Sequence, residues 1–194
     1  TTGKEVHQLD LPGLRDVTMT PMKYGFHGTL KPPFRLAEGT TAAQLEEAAT
    51  DMAKSLPAAR VGGFTLTALG RFLALTPTGD VSGLQHIAET CVTTLDPFRA
   101  PASQAELARR RKAGLSARQE ALLTQWGYPY VMEEFRFHMT LSSRLEENEI
   151  AHWSGLAKIH LPDLPSPFDI SSVALCGERE DGRFELIHRY TLTG

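Results

Sequence analysis

Apolar residues along this chain recur at two spacings, and each switch between spacings marks a new element. Leu45, Ala48, Ala49, Met52 and Leu56 fall on one stripe of a helix over 41–56, with Thr40 or Thr41 as cap and Pro57 as stop. Phe64 to Leu69 alternates as a half-buried strand does, Gly70-Arg71 turns, and Phe72-Leu73-Ala74-Leu75 forms a second strand that Gly79 breaks. Leu84, Ile87, Ala88, Cys91 and Leu95 define a helix opened by Ser82 and closed by Pro97. Two short helices, 104–113 and 117–126, follow. Ser103 with Glu106 and Ser116 with Gln119 cap their starts, and Gly114 and Gly127 mark their ends. A helix over about 146–157 rests on Ile150, Trp153 and Leu156. Beyond the Pro-rich stretch 162–167, Phe168 to Cys176 and Phe184 to Leu192 read as strands, with a hairpin turn at Asp181-Gly182. Residues 1–22 hold Pro12, Gly13 and Pro21 and read as a loop or one short strand.

Two further strands carry the chemistry. One spans about Met22 to Lys31 and is stopped by Pro32-Pro33; the other spans about 131–142. The first contains Phe26-His27-Gly28-Thr29-Leu30-Lys31 and the second Phe137-His138-Met139-Thr140-Leu141-Ser142. Both read aromatic, His, any residue, Thr, Leu. Side chains on a strand alternate between faces. Tyr24, Phe26, Gly28 and Leu30, and likewise Phe135, Phe137, Met139 and Leu141, are expected to face a core. His27 and Thr29, and His138 and Thr140, then share the polar faces. These faces are expected to meet across one cleft, with two imidazoles gripping a phosphate from opposing sides.

Each half runs motif strand, helix, strand, turn, strand, and the first half adds a helix and a basic insertion. Such a repeat predicts an α+β fold of two pseudo-symmetric lobes of antiparallel sheet, with outer helices and a central cleft. A single bilobal domain over 1–194 is expected: a first lobe at about 1–100, a helical insertion at about 101–127, and a second lobe at about 128–194.

The chain has 194 residues, 41% hydrophobic and 22% charged, which is ordinary for a globular protein. A net charge of −3 gives no long-range pull toward nucleic acid or an anionic membrane. A bound anion must therefore be caught by a local cluster. No apolar run reaches the length of a membrane span, and no secretory signal is visible. Cys91 and Cys176 are far apart, which fits a reduced, cytoplasmic setting. No metal-ligand spacing emerges, so neither a metal nor another cofactor is expected. His7, His86, His152, His160 and His188 belong to no paired motif. The run Arg109 to Lys112 reads as a solvated helix end, with a phosphate or RNA contact as the alternative, and Trp126 to Tyr130 as a packed loop, with a base-stacking lid as the alternative.

Cleaving a cyclic phosphodiester needs one group to take a proton from the attacking oxygen and another to protonate the leaving oxygen. Imidazole suits both tasks, because its unperturbed pKa of ~6.5 lies near working pH. Hydroxyls and cations at the equatorial oxygens supply the rest. Thr29 and Thr140 are placed for this, with Lys31, Arg136 and Ser142 as candidate assistants.

The paired His-x-Thr-Leu motifs resemble the two-histidine (2H) phosphoesterase superfamily, which includes RNA ligase-like and cyclic phosphodiesterase enzymes. The stretches Tyr24 to Phe34 and Ala105 to His138 are similar to the branch associated with bacterial phosphonate-degradation operons. The resemblance implies a bilobal α+β fold, with His27 and His138 as catalytic pair and Thr29 and Thr140 as phosphate binders. It also implies an additional N-terminal strand that is not seen in a chain beginning Thr-Thr-Gly, so either one sheet is expected to lack a member or the sequence is expected to be incomplete. Carbon–phosphorus bond breakdown passes through a ribose cyclic phosphate, so the expected substrate is a cyclic phosphate on a small sugar or nucleotide. Processing of RNA 2′,3′-cyclic-phosphate ends stands as the alternative, together with a module that binds a phosphorylated ligand without turnover. Oligomeric state and the acid or base role of each His stay open.

Overall fold

In the computed structural model, which describes residues 9–194, the first element is a short helix, α1 (Leu14–Thr18), followed by a 3₁₀ turn at Pro21–Lys23. A helix forms where a loop or strand is expected because Leu14 and Val17, one helical turn apart, both pack against the cluster of Leu73, Leu145 and Trp153. Residues 1–8, which share that expectation and include His7, lie outside the described residues.

The helices follow their caps. Thr41 accepts from the Gln44 amide and Gln44 reaches back to the Thr41 amide, opening α2 (Ala42–Ser55). After β1 (Ala59–Val61), β2 (Gly63–Leu69) and β3 (Phe72–Thr78) come α3 (Ser82–Thr94), α4 (Gln104–Arg111) and α5 (Ala117–Trp126). The last two carry the capping boxes at Ser103 and Ser116. Gly127 takes the left-handed conformation at φ 72° that ends α5. The chain then passes β4 (Met139–Thr140), α6 (Glu147–His160), β5 (Phe168–Ile170), β6 (Ser172–Glu178) and β7 (Phe184–Thr191).

All strand pairs are antiparallel, and the fold is mixed α+β. Strands β2, β3 and β4 form one sheet, β6 pairs β7, and β1 pairs β5. The expected strand from Phe168 to Cys176 is divided at Ser171. Its first part leaves to join β1, a strand the sequence pattern does not announce, and its second part pairs with β7.

The motif strands are shorter than their alternation predicts. In the second, only Met139–Thr140 joins a ladder, after a 3₁₀ turn at Met132–Glu134 that begins with Met132 at φ 52°. In the first, Gly25 turns left-handed at φ 68°, and a single bridge at Gly28 is all that remains of a strand. That turn breaks the alternation upstream of His27. Tyr24 and Phe26, expected in the core, are exposed, Phe26 at 67%.

Two main cores hold the sheets. One gathers Leu45, Ala49 and Met52 of α2 and Ile87 and Cys91 of α3 against Val173 of β6 and Tyr190 of β7. The other sets Ile150, Trp153 and Leu156 of α6 against Leu66 of β2 and Leu73 of β3. The helix that follows each motif thus covers the hairpin of the other half. A smaller cluster of Val92, Leu122 and Val131 takes in Trp126 and Tyr128 of the aromatic loop, so that loop is packed. Burial pushes the Cys91 thiol up to about 12, which keeps it an inert apolar filler.

Candidate active site

Gly28 and Met139 form an antiparallel bridge, and Met139 also pairs with Leu75 of β3. The first motif is thereby laid along β4 on the edge away from β3. An antiparallel register at Gly28 and Met139 sets His27 opposite Thr140 and Thr29 opposite His138. Side chains alternate, so these four residues share the face opposite to the one that Gly28 and Met139 take. Residues directly opposed in such a register have Cβ atoms ~5 Å apart. Glycine is required at 28, because a Cβ there would overlap the Phe137 ring.

Both imidazoles are oriented in the same way. His27 Nδ1 meets the Gly25 carbonyl at 3.0 Å, and His138 Nδ1 meets the Arg136 carbonyl at 2.8 Å. A carbonyl only accepts, so each Nδ1 carries the proton and each Nε2 is left for chemistry. In the neutral ring, His27 Nε2 accepts from the Thr29 hydroxyl at 3.1 Å. His138 Nε2 has no hydrogen-bond partner among the described residues. An aromatic ring flanks each imidazole: Tyr24 lies 5.5 Å from His27 and Phe72 5.7 Å from His138. A tilted aromatic neighbour restrains an imidazole without supplying a competing polar partner.

The other three candidates point elsewhere. The Lys31 side chain is only 7% exposed and donates to the Val92 carbonyl at 3.0 Å and to Asp96 at 3.3 Å, tying the first motif to the end of α3. Burial holds its pKa below the usual lysine range, with Asp96 opposing that shift. Arg136 donates to the Glu133 and Phe135 carbonyls. The buried Ser142 hydroxyl accepts from the Leu73 amide at 2.9 Å and donates to the Ser143 carbonyl at 2.8 Å. Tyr24 and Phe72 flank the site without being singled out by any spacing. Phe72 comes to the site through pairing over distance, two residues before Ala74, which pairs with Thr140.

The arrangement defines a class of site in which two Nε2 atoms and two threonine hydroxyls share one face. Among the described residues no group of His, Cys, Asp and Glu is spaced to hold a metal ion, and no helix is long and apolar enough to cross a membrane. Residues 29–185 match the family described as "Protein of unknown function (DUF1045)", and the chain belongs to that family. It is 43% identical over 145 residues to ribose 1,5-bisphosphate phosphokinase PhnN of Janthinobacterium sp. (strain Marseille). It is 37% identical over 142 residues to the protein of that name from Laribacter hongkongensis (strain HLHK9). The matches take in 72% and 71% of this chain but 32% of each relative, so the chain spans about a third of their length.

Proposed function

We propose that this chain is a two-histidine phosphodiesterase that opens a cyclic phosphate on a small sugar of the ribose class, in phosphonate metabolism. The observation that carries this reading is the Gly28–Met139 bridge, whose register gathers His27, Thr29, His138 and Thr140 on one face. Water attacks phosphorus in line with the departing sugar oxygen. One neutral imidazole takes the water proton at Nε2 as the new P–O bond forms. The other, protonated, gives its Nε2 proton to the sugar oxygen as the old P–O bond breaks. The product is a phosphomonoester beside a free hydroxyl. The Thr29 and Thr140 hydroxyls donate to the equatorial oxygens while charge redistributes over them. Lys31 and Ser142 support these segments from behind, and Arg136 braces the turn before His138.

The ribose class is supported by the name that the relatives carry, which gives them a phosphorylated ribose as substrate. This sequence holds no Gly-x-x-x-x-Gly-Lys-Ser/Thr loop of the kind that cradles nucleotide phosphates. The reading therefore assigns diester opening to the portion matched here and the kinase reaction to the rest of those relatives. Opening a cyclic phosphate on ribose yields a ribose phosphomonoester, the kind of compound such a kinase consumes.

The test is release of phosphomonoester from a ribose cyclic phosphate by the purified chain and by His27→Ala and His138→Ala. Each variant is expected to lose at least about 10³-fold in kcat while keeping the parental circular dichroism. Activity should persist in chelator and show a bell-shaped pH profile. Near-parental turnover in either variant overturns the reading. Faster cleavage of an oligonucleotide 2′,3′-cyclic phosphate would move the substrate to RNA ends. Binding without turnover would make the chain a phosphoryl-ligand module.

A further inference from the structure

A groove of about 570 Å³ opens beside Thr140, lined by Thr20, Gly70, Arg71, Phe72, Ser143 and Arg144 among others. That volume is in the range of small-ligand sites. The groove is continuous with the paired motifs, because Thr140 belongs to both and the Phe72 ring that lines it touches His138. The two arginines differ. Arg71 donates to the Leu145 carbonyl at 2.8 Å and is ion-paired with Glu146, so its charge is already met. Arg144 is exposed and makes no ion pair among the described residues. The Ser143 hydroxyl accepts from the Thr20 amide at 3.1 Å, which joins the two rims of the groove at this point. Gly70, at φ 59° in the β2–β3 turn, has open space among the described residues where a Cβ would lie.

We propose that this groove is a subsite for a second phosphoryl group, bound by the Arg144 guanidinium, and that the substrate is a sugar carrying a phosphomonoester as well as its cyclic phosphate. The proposal rests on the phosphodiesterase reading for the first phosphate. A sugar ring lies over the apolar edge of Phe72, the cyclic phosphate faces the imidazoles, and the monoester reaches Arg144. A guanidinium suits this task because its planar fork matches two phosphate oxygens at once. Arg144 acts here in recognition and takes no part in proton transfer.

The experiment compares kcat/KM for two ribose cyclic phosphates, with and without a 5-phosphate, in the parental chain, Arg144→Ala and Arg144→Lys. The parental chain should prefer the 5-phosphorylated compound. In Arg144→Ala that preference should fall about 10- to 100-fold, chiefly through KM, the range expected for losing a charge-assisted hydrogen-bonded pair. Arg144→Lys should restore part of it. An unchanged preference in Arg144→Ala, or an equal loss on both compounds, overturns the subsite. Calorimetric titration with ribose 5-phosphate separates the two proposals. Binding that Arg144→Ala weakens supports the subsite even where neither cyclic phosphate is turned over, an outcome that removes the phosphodiesterase reading alone. Ribose 5-phosphate binding that is indifferent to Arg144 overturns the subsite.

Discussion

The two His-x-Thr-Leu segments carry nearly the same sequence and are held in different ways. The second sits in a sheet: Met139 and Thr140 pair with Leu75 and Ala74, and the Ser142 hydroxyl locks the Leu73 amide. The first has one bridge and depends on remote anchors: the Lys31 ammonium on Asp96 and Val92, and the proline pair that ends it. The rings nevertheless receive the same Nδ1 bond to the carbonyl two residues upstream. A local motif thus sets the tautomer by itself, whereas placing the motif falls to whatever the rest of the fold offers.

The bridge between the segments is the most sensitive point of this comparison. Gly28→Val should push the Phe137 ring out and part the two motifs. Displacements of ~1 Å cost ~10²-fold in rate, and a loss of about 10³-fold in kcat is expected from this larger overlap. Gly28→Ala should lose less, and combining it with Phe137→Leu should recover part of the loss. Equal rates for Gly28→Ala with and without Phe137→Leu would show that the steric account fails.

The anchor of the first segment comes next. Lys31→Met leaves Asp96 still paired with Arg99 and relieves the burial of the ammonium that offsets its bonds, so a cost of only about 1 kcal/mol is expected in urea denaturation. It should also loosen His27 more than His138, seen as a selective change in the His27 ring signals by NMR. Thr29→Val and Thr140→Val should each lower kcat by about 10²-fold, the usual loss for one preorganised donor. A much larger loss in one than in the other would mean that the unequal anchoring reaches the hydroxyls. Ser142→Ala, which orphans the buried Leu73 amide, should cost about 2 kcal/mol with little change in KM.

The smallest effect is the acid response of the first anchor. Burial pushes the Asp96 carboxyl up, but the Arg99 hydrogen bonds and the Lys31 charge outweigh it and leave its pKa below the ordinary carboxylate value. A carboxylate lowered on folding stabilises fully above its unfolded pKa of ~3.9 and loses that contribution as pH falls through the folded value. Stability measured from pH 6 down to about pH 3 should therefore decline less steeply in Asp96→Asn than in the parental chain.

Helix starts were open to reading because capping boxes are local: Thr41, Ser103 and Ser116 each satisfy their own first turn. The hairpins were equally open, since Gly70 and Asp181-Gly182 are turn chemistry inside a few residues. What the pattern concealed was pairing over distance. Nothing in Ala59-Arg60-Val61 announces a partner at 168–170, where Arg60 meets Asp169 at 2.6 Å. Alternation also overstated the first motif strand, because one left-handed residue, Gly25, resets the phase and turns Tyr24 and Phe26 outward. The four residues that the Gly28–Met139 register gathers were visible as a repeat. Strand phase says which side a residue leaves from and nothing about its nearest partner, so it did not reveal Asp96 beside Lys31, the backbone carbonyls that hold Arg136 or the Leu73 amide on Ser142.

The exchange of helices between the halves bears on how such a chain can be taken apart. Helix α2 roofs the β6–β7 hairpin and α6 roofs the β2–β3 hairpin. A cut in the connector around residues 101–103 would give two fragments, each with a bare hairpin and a helix lacking its seat. Neither fragment should be soluble alone, and co-expression should recover both as one complex.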